Sequence, residues 1–253
     1  MNKIWITLLL ICVVSVASWF YLVNQKQAGT VTLQFQARVG DKPLKFNQTI
    51  YPNPGGEGQF QIRNIQLYLS NIQLQGKTHR YQLTDSYHLA RFDNASKSYL
   101  IEFHDVPYDQ YSKVMISIGV DESANSSIMP RGDLDPNNRM AWSWEVGYKF
   151  ILFEGTLAQA EKIQPLVYHV GFSENYKPLE FQLPKPITPE GARINFDVDI
   201  LAMFNSSETI NMVELPTVKF DRKDARLIAE NYASMVTLSA DSTGLSRPKK
   251  VDK

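Results

Sequence analysis

The stretch Val31-Thr-Leu33-Gln-Phe35-Gln-Ala37-Arg-Val39 decides the fold class. Five apolar residues alternate with four polar ones, so an extended chain would turn one apolar face to a core and one wet face to solvent. The same period recurs at Phe60 to Leu74, Tyr99 to Phe103, Val114 to Val120, Tyr148 to Leu152, Leu179 to Leu183 and Ile194 to Ile200. Clusters of Gly, Pro, Asn and Asp separate these runs, as turns require. This spacing predicts a mainly β fold, an antiparallel, immunoglobulin-like β-sandwich. Within the second run the apolar phase slips between Ile62 and Ile65 and again after Leu69, which predicts bulges or a division into two strands.

Outside this domain, placed at residues 31–238, the text changes. From Ile4 to Val23 there is no charge, and about 30 Å of helix at ~1.5 Å per residue is enough to cross a bilayer. Residues 1–23 are therefore expected to form a signal anchor or signal peptide. Ser15-Val16-Ala17 offers a small-x-small cleavage site, but the apolar run continues through Trp19 to Val23, which favours an uncleaved anchor. Lys3 before the span points the bulk of the chain away from the cytoplasm, although Lys26 after it weakens the asymmetry. Residues 24–30 read as a linker and 239–253 as a mobile tail. Between Asp221 and Leu238, apolar residues at Ala225, Ile228, Ala229, Tyr232 and Met235 predict an amphipathic helix capped by Asp221.

Charge and cysteine content exclude several functions. The 26 basic and 26 acidic residues cancel, which removes the electrostatic footprint of a nucleic-acid binder. Cys12 is the only cysteine and lies in the apolar segment, so the domain has no thiolate ligand or nucleophile and no disulfide. The sequence contains no GxSxG, HExxH, GxxxxGK[ST] or GxGxxG. The chain is expected not to be an enzyme; a hydrolase built on Asp133, Asp135 and Glu145 has no supporting spacing. Asp133-Leu-Asp135-Pro-Asn137 has the alternate-oxygen spacing of a calcium loop, yet Asn138 and Trp144 stand where Gly and Glu belong, so a solvated turn is the simpler reading. Arg131-Gly132-Asp133 is short enough to occur by chance. The whole polar segment Glu122 to Asn138 reads as a long excursion loop.

Without thiolates, imidazole is the metal ligand to look for, and the chain has four histidines. His79 belongs to a turn, and His104 closes a strand before Asp105. His88 in Tyr87-His88-Leu89 and His169 in His169-Val170-Gly171 sit within strand-like text, where a ring must face solvent or find a partner. Met140-Ala-Trp142-Ser-Trp144-Glu-Val-Gly147-Tyr148-Lys-Phe150 sets two tryptophans one residue apart, on one face of a strand. A core aromatic pair is the plainest reading of that text. A soft metal site with Met140 and nearby imidazoles is the other, though an unmodified indole is a poor lone-pair donor.

These segments, with Tyr68-Leu-Ser-Asn-Ile72, Gly119-Val-Asp121, Glu154-Gly155 and Ile228 to Met235, resemble the MbnP-like family of periplasmic copper-binding proteins. That family is related to the methanotroph copper proteins MopE and CorA. The resemblance implies a β-sandwich holding one copper, Cu(I) or Cu(II), through two histidines and a tryptophan oxidised to kynurenine. It also implies a partner, a MauG-like dihaem cytochrome c peroxidase, and a periplasmic location. Carried over, His88 and His169 are the imidazole ligands, Trp142 or Trp144 is the residue oxidised, and Met140 and His104 are accessory. Tyr168 and Val170 depart mildly from the usual HxG surroundings, and Glu145 stands where Asn is usual. The competing expectation is a metal-free sandwich that serves as an interaction or adhesion module.

Overall fold

A computed structural model describes residues 28–127, 129, 131–143 and 146–245. The first eight strands are β1 (Gly29–Val39), β2 (Lys42–Pro43), β3 (Tyr51–Pro52), β4 (Gln59–Gly76), β5 (Arg80–Gln82), β6 (Tyr87–Arg91), β7 (Ser98–Val106) and β8 (Tyr111–Ile118). A one-turn helix, α1 (Glu122–Asn125), leads toward β9 (Ala141–Ser143). The hairpin β10 (Gly147–Gln159) and β11 (Lys162–Gly171) follows, then β12 (Lys177–Ile187) and β13 (Glu190–Asp199). The last elements are β14 (Thr217–Val218), α2 (Arg222–Tyr232) and β15 (Val236–Leu245).

The protein is mainly β, and its strands form two sheets. One contains β15, β13, β1, β2 and β7; the other contains the remaining ten, with the long β4 at its centre. The alternation in β1 does what its pattern requires, because Val31, Leu33, Phe35, Ala37 and Val39 are all buried. They join a core shared by both sheets, in which Phe181 of β12 meets Phe196 of β13 edge-on, ring centroids 5.1 Å apart. The antiparallel expectation fails in two places: β1 runs parallel to β13, and β11 runs parallel to β14.

The two slips in the second run are bulges within one strand. Arg63 is the extra residue where β4 pairs with β10, between Ile62↔Gly155 and Asn64↔Glu154. The second bulge lies between Ser70 and Gln73, at Asn71, whose φ of 50° asparagine adopts more readily than most residues. Between the bulges, residues Gln66 to Ser70 pair regularly with β6, so the two faces stay distinct there.

Residues 239–245 correct the tail expectation: they belong to β15, which extends the first sheet by pairing with β13. Helix α2 is shorter than the apolar spacing predicted, and Asp221 caps it by accepting a hydrogen bond from the Asp224 amide at 2.9 Å. Its buried residues Ala225, Ile228, Ala229 and Tyr232 join the main core. Among the described residues no helix is long and apolar enough to cross a membrane. The expected N-terminal span with Cys12, and residues 246–253, lie outside the described residues.

The excursion after β8 is a cover rather than a free loop. Ala124 and Leu134 from it, with Met140 just after it, are buried with Tyr68, Tyr87, Leu89, Tyr148, Phe150 and Leu152 in a second apolar cluster. These partners lie on the sheet face opposite the main core, so the polar text of residues 122–138 carries just enough apolar side chains to close that face.

Candidate metal centre

The register fixes which way each histidine points. In the rows across β4 and β6, Leu67 pairs with Ala90 and Leu69 with His88, and Leu67, Leu69 and Ala90 belong to the main core. His88 therefore shares the inner face of the larger sheet. In the β10–β11 hairpin, His169 pairs with Leu152, and Leu152 pairs in turn with Gln66 of β4. Tyr168 and Val170, on either side of His169, enter the main core, so His169 occupies the outer face. The expected pair of imidazoles is not assembled on one ion by this sheet. Gln66 and Leu69 are three residues apart, an odd number, and an odd offset inverts the face.

The sheet brings Trp142 to Gly171, two residues along β11 from His169, while the indole itself packs against the main core. Gly171 lies on the same face of β11, two residues and about 6.6 Å beyond His169, and the Trp142 ring covers it. A Cβ built on Gly171 would fall 2.7 Å from Trp142 Cζ3 and 2.3 Å from the Tyr148 carbonyl oxygen. A side chain at 171 would therefore displace the indole or the Tyr148 carbonyl. Trp142 is also packed against Phe172 at 5.2 Å and Phe220 at 5.3 Å between centroids. Phe172 holds this position at φ 69° and ψ 134°, a conformation that a bulky residue rarely adopts. Arg222 lies 4.4 Å above the Phe172 ring and is ion-paired with Glu174.

Around His169 the charges are mixed. Its Nε2 is 3.2 Å from Glu154 Oε1, and the same oxygen is 3.2 Å from Arg139 Nη2. Burial and the neighbouring Lys149 ammonium lower the His169 pKa, while Glu154 opposes them. The neutral imidazole is thus the favoured form. In the tautomer that donates Nε2–H to Glu154, Nδ1 carries the lone pair. Lys149 is itself buried, donates to the Arg139 carbonyl, and is depressed chiefly by desolvation. Glu154 and Lys149 were absent from the expected site residues. The period of two within the hairpin points to Glu154, because residues 152 and 154 of β10 share the face of His169.

The other expected residues are dispersed. Met140 is fully buried in the second apolar cluster, and its carbonyl accepts from the Lys149 amide. His104 is 68% exposed on β7 and stands 4.0 Å from Glu102. His79 lies in its turn, 3.5 Å from Asp109. Trp144 and Glu145 lie outside the described residues. Asp133 is drawn into the fold, since its amide donates to the Tyr87 carbonyl and its Oδ2 accepts from the Leu89 amide, both at 2.8 Å. Asp135 accepts from the Asn137 amide at 2.8 Å, which closes an Asx turn. Among the described residues no three His, Cys, Asp or Glu side chains are grouped to hold a metal ion.

A predominantly β domain with a half-buried tryptophan laid over an HxG strand defines the class. The MbnP family model matches residues 28–220, and the chain belongs to that family. Among solved structures, MbnP from Methylosinus trichosporium is similar in fold, with a TM-score of 0.51 and 16% sequence identity over 72% of this chain and 80% of that one. Comparison with curated protein sequences gives no match.

Proposed function

We propose that the protein handles copper outside the cytoplasm, held by His169 together with an aryl amine derived from a tryptophan of the Trp142-x-Trp144 pair. The observation that carries this reading is the placement of Trp142 against Gly171, two residues along β11 from His169. The residues at that position fit one imidazole and one carboxylate, His169 and Glu154. They do not fit a two-histidine set, because His88 faces the other way. Copper would supply soft Lewis acidity there; the chain supplies a neutral imidazole and, in Glu154, a negative charge against Lys149 and Lys219.

An indole nitrogen delocalises its lone pair into the ring, whereas kynurenine presents an aryl amine whose lone pair can be donated. The conversion breaks the indole C2–C3 bond, leaves a ketone oxygen on the former C3 and releases C2 as formate with uptake of water; it requires dioxygen or hydrogen peroxide as oxidant, which a partner dihaem peroxidase is proposed to activate. Mass spectrometry of the peptide that spans Trp142 and Trp144, taken from native cells, tests this step. A gain of about 4 Da is the expected signature of this covalent modification; two unmodified tryptophans would overturn the tryptophan-derived ligand.

A further inference from the structure

Gln73 of β4 stands between Ile72 and Leu74, both in the main core, so its side chain takes the outer face of the larger sheet. There, opposite Met115 of β8, it lines a cleft of about 410 Å³, a size that encloses a small organic ligand. Gln73 Oε1 is buried yet has no hydrogen-bond partner among the described residues. A buried acceptor left unbonded costs free energy, so that oxygen calls for a donor. The Asp121 carboxylate lines the same cleft. Its Oδ2 accepts from the Tyr87 hydroxyl at 2.5 Å and from Asn71 Nδ2 at 3.0 Å, and its Oδ1 accepts from the Ala124 amide at 3.2 Å. Burial raises the Asp121 pKa, but these hydrogen bonds outweigh it and hold the carboxyl below its ordinary value, hence ionised. Among the described residues no basic side chain forms an ion pair with it. Asn71, set at the second bulge of β4, also donates to the Tyr176 hydroxyl at 2.7 Å, and Tyr176 in turn donates to Ser117 Oγ at 2.7 Å. The cleft thus joins an orphaned acceptor to a negative charge held only by neutral donors, with Met115 and Pro178 as an apolar strip beside them.

A primary ammonium meets both demands, because its three N–H groups are donors only and its charge is opposite to that of the carboxylate. We propose that the cleft binds a small primary alkylammonium, whose N–H groups donate to Gln73 Oε1 and the Asp121 carboxylate while its stem lies along Met115 and Pro178. A quaternary ammonium would leave the Gln73 oxygen unbonded, and an alcohol would leave the charge unanswered. The site goes beyond the copper reading and shares no residue with it.

Saturation-transfer NMR titrations of the full chain test it, with n-butylammonium chloride, tetramethylammonium chloride and butanol as probes, in the wild type, Gln73→Leu and Asp121→Asn. The proposal expects butylammonium to bind the wild type at least roughly tenfold more tightly than either other probe, and each substitution to weaken it roughly tenfold, as loss of a charge-assisted hydrogen bond does. Asparagine retains the capping role that Asp121 has at the start of α1, so Asp121→Asn removes the charge and keeps the cap. Thermal melts identify a variant that fails to fold, and Gln73→Leu, at a half-buried position on the outer face, then carries the test. No butylammonium binding by the wild type would overturn the site. Equal binding of butylammonium and butanol would also overturn it, leaving a merely apolar cleft, as would equal butylammonium affinity in the wild type and Gln73→Leu.

Discussion

The Trp142 ring lies over Gly171, so close that a Cβ at 171 would fall 2.7 Å from Cζ3. The glycine is a packing requirement of the indole. Gly171→Ala is expected to destabilise the fold by ~1–3 kcal/mol, since the Tyr148 carbonyl cannot yield as a flexible side chain could. The same substitution should displace Trp142. Urea unfolding with tryptophan emission as the probe reads both effects, and wild-type values for both would refute this packing account.

Phe172 makes a second test. Its backbone sits where glycine is comfortable and phenylalanine is not, yet its ring is buried against Trp142. Both Phe172→Ala and Phe172→Gly lose the ring, but only glycine relieves the positive φ, a strain of order 1–3 kcal/mol. Phe172→Gly should therefore be the more stable of the two by ~1 kcal/mol, reversing the usual cost of glycine in extended structure. Chemical denaturation of the pair decides it.

The pH dependence follows from two buried imidazoles. Burial is the largest cause lowering both His88 and His169 below their ordinary value of 6.5. A group with a depressed folded pKa binds more protons when unfolded, so its contribution is complete above the unfolded value and is lost as pH falls through the folded one. Stability should decline below pH 6.5, before the carboxylates Asp121 and Glu174, also held low, begin to lose theirs below their ordinary carboxylate range. Thermal midpoints measured from pH 7.5 to pH 5 should fall, and less steeply in His88→Gln.

Deleting residues 239–253 tests the reassignment of the presumed tail. The deletion removes the partners of Ala192, Arg193 and Ile194 on β13. A loss of ~1 kcal/mol would lower the melting midpoint of a chain this size by roughly 2–4 °C. An unchanged midpoint would mean that β15 contributes nothing to the sheet.

Much of this was legible in the sequence, because a period of two is a direct statement about two faces. Val31 to Val39 gave their burial by alternation alone, and the phase slips after Ile62 and Leu69 located both bulges of β4. Other features depended on long-range pairing, which no local pattern records. The parallel match of β1 to β13 joins residues some 160 positions apart. The polar residues of 239–245 hid a strand at the sheet's edge, where one wet face is normal. The histidines show the limit most plainly. Each sits in visible strand text, but whether their faces agree depends on the register through β4, β6, β10 and β11.

The most direct measurement is copper titration of the full chain purified from its native source, in a His88→Gln background with and without His169→Ala. The account predicts one equivalent of copper bound in the first and none in the second. Equal binding in both, or none in either, would contradict a copper centre at His169 beside Trp142.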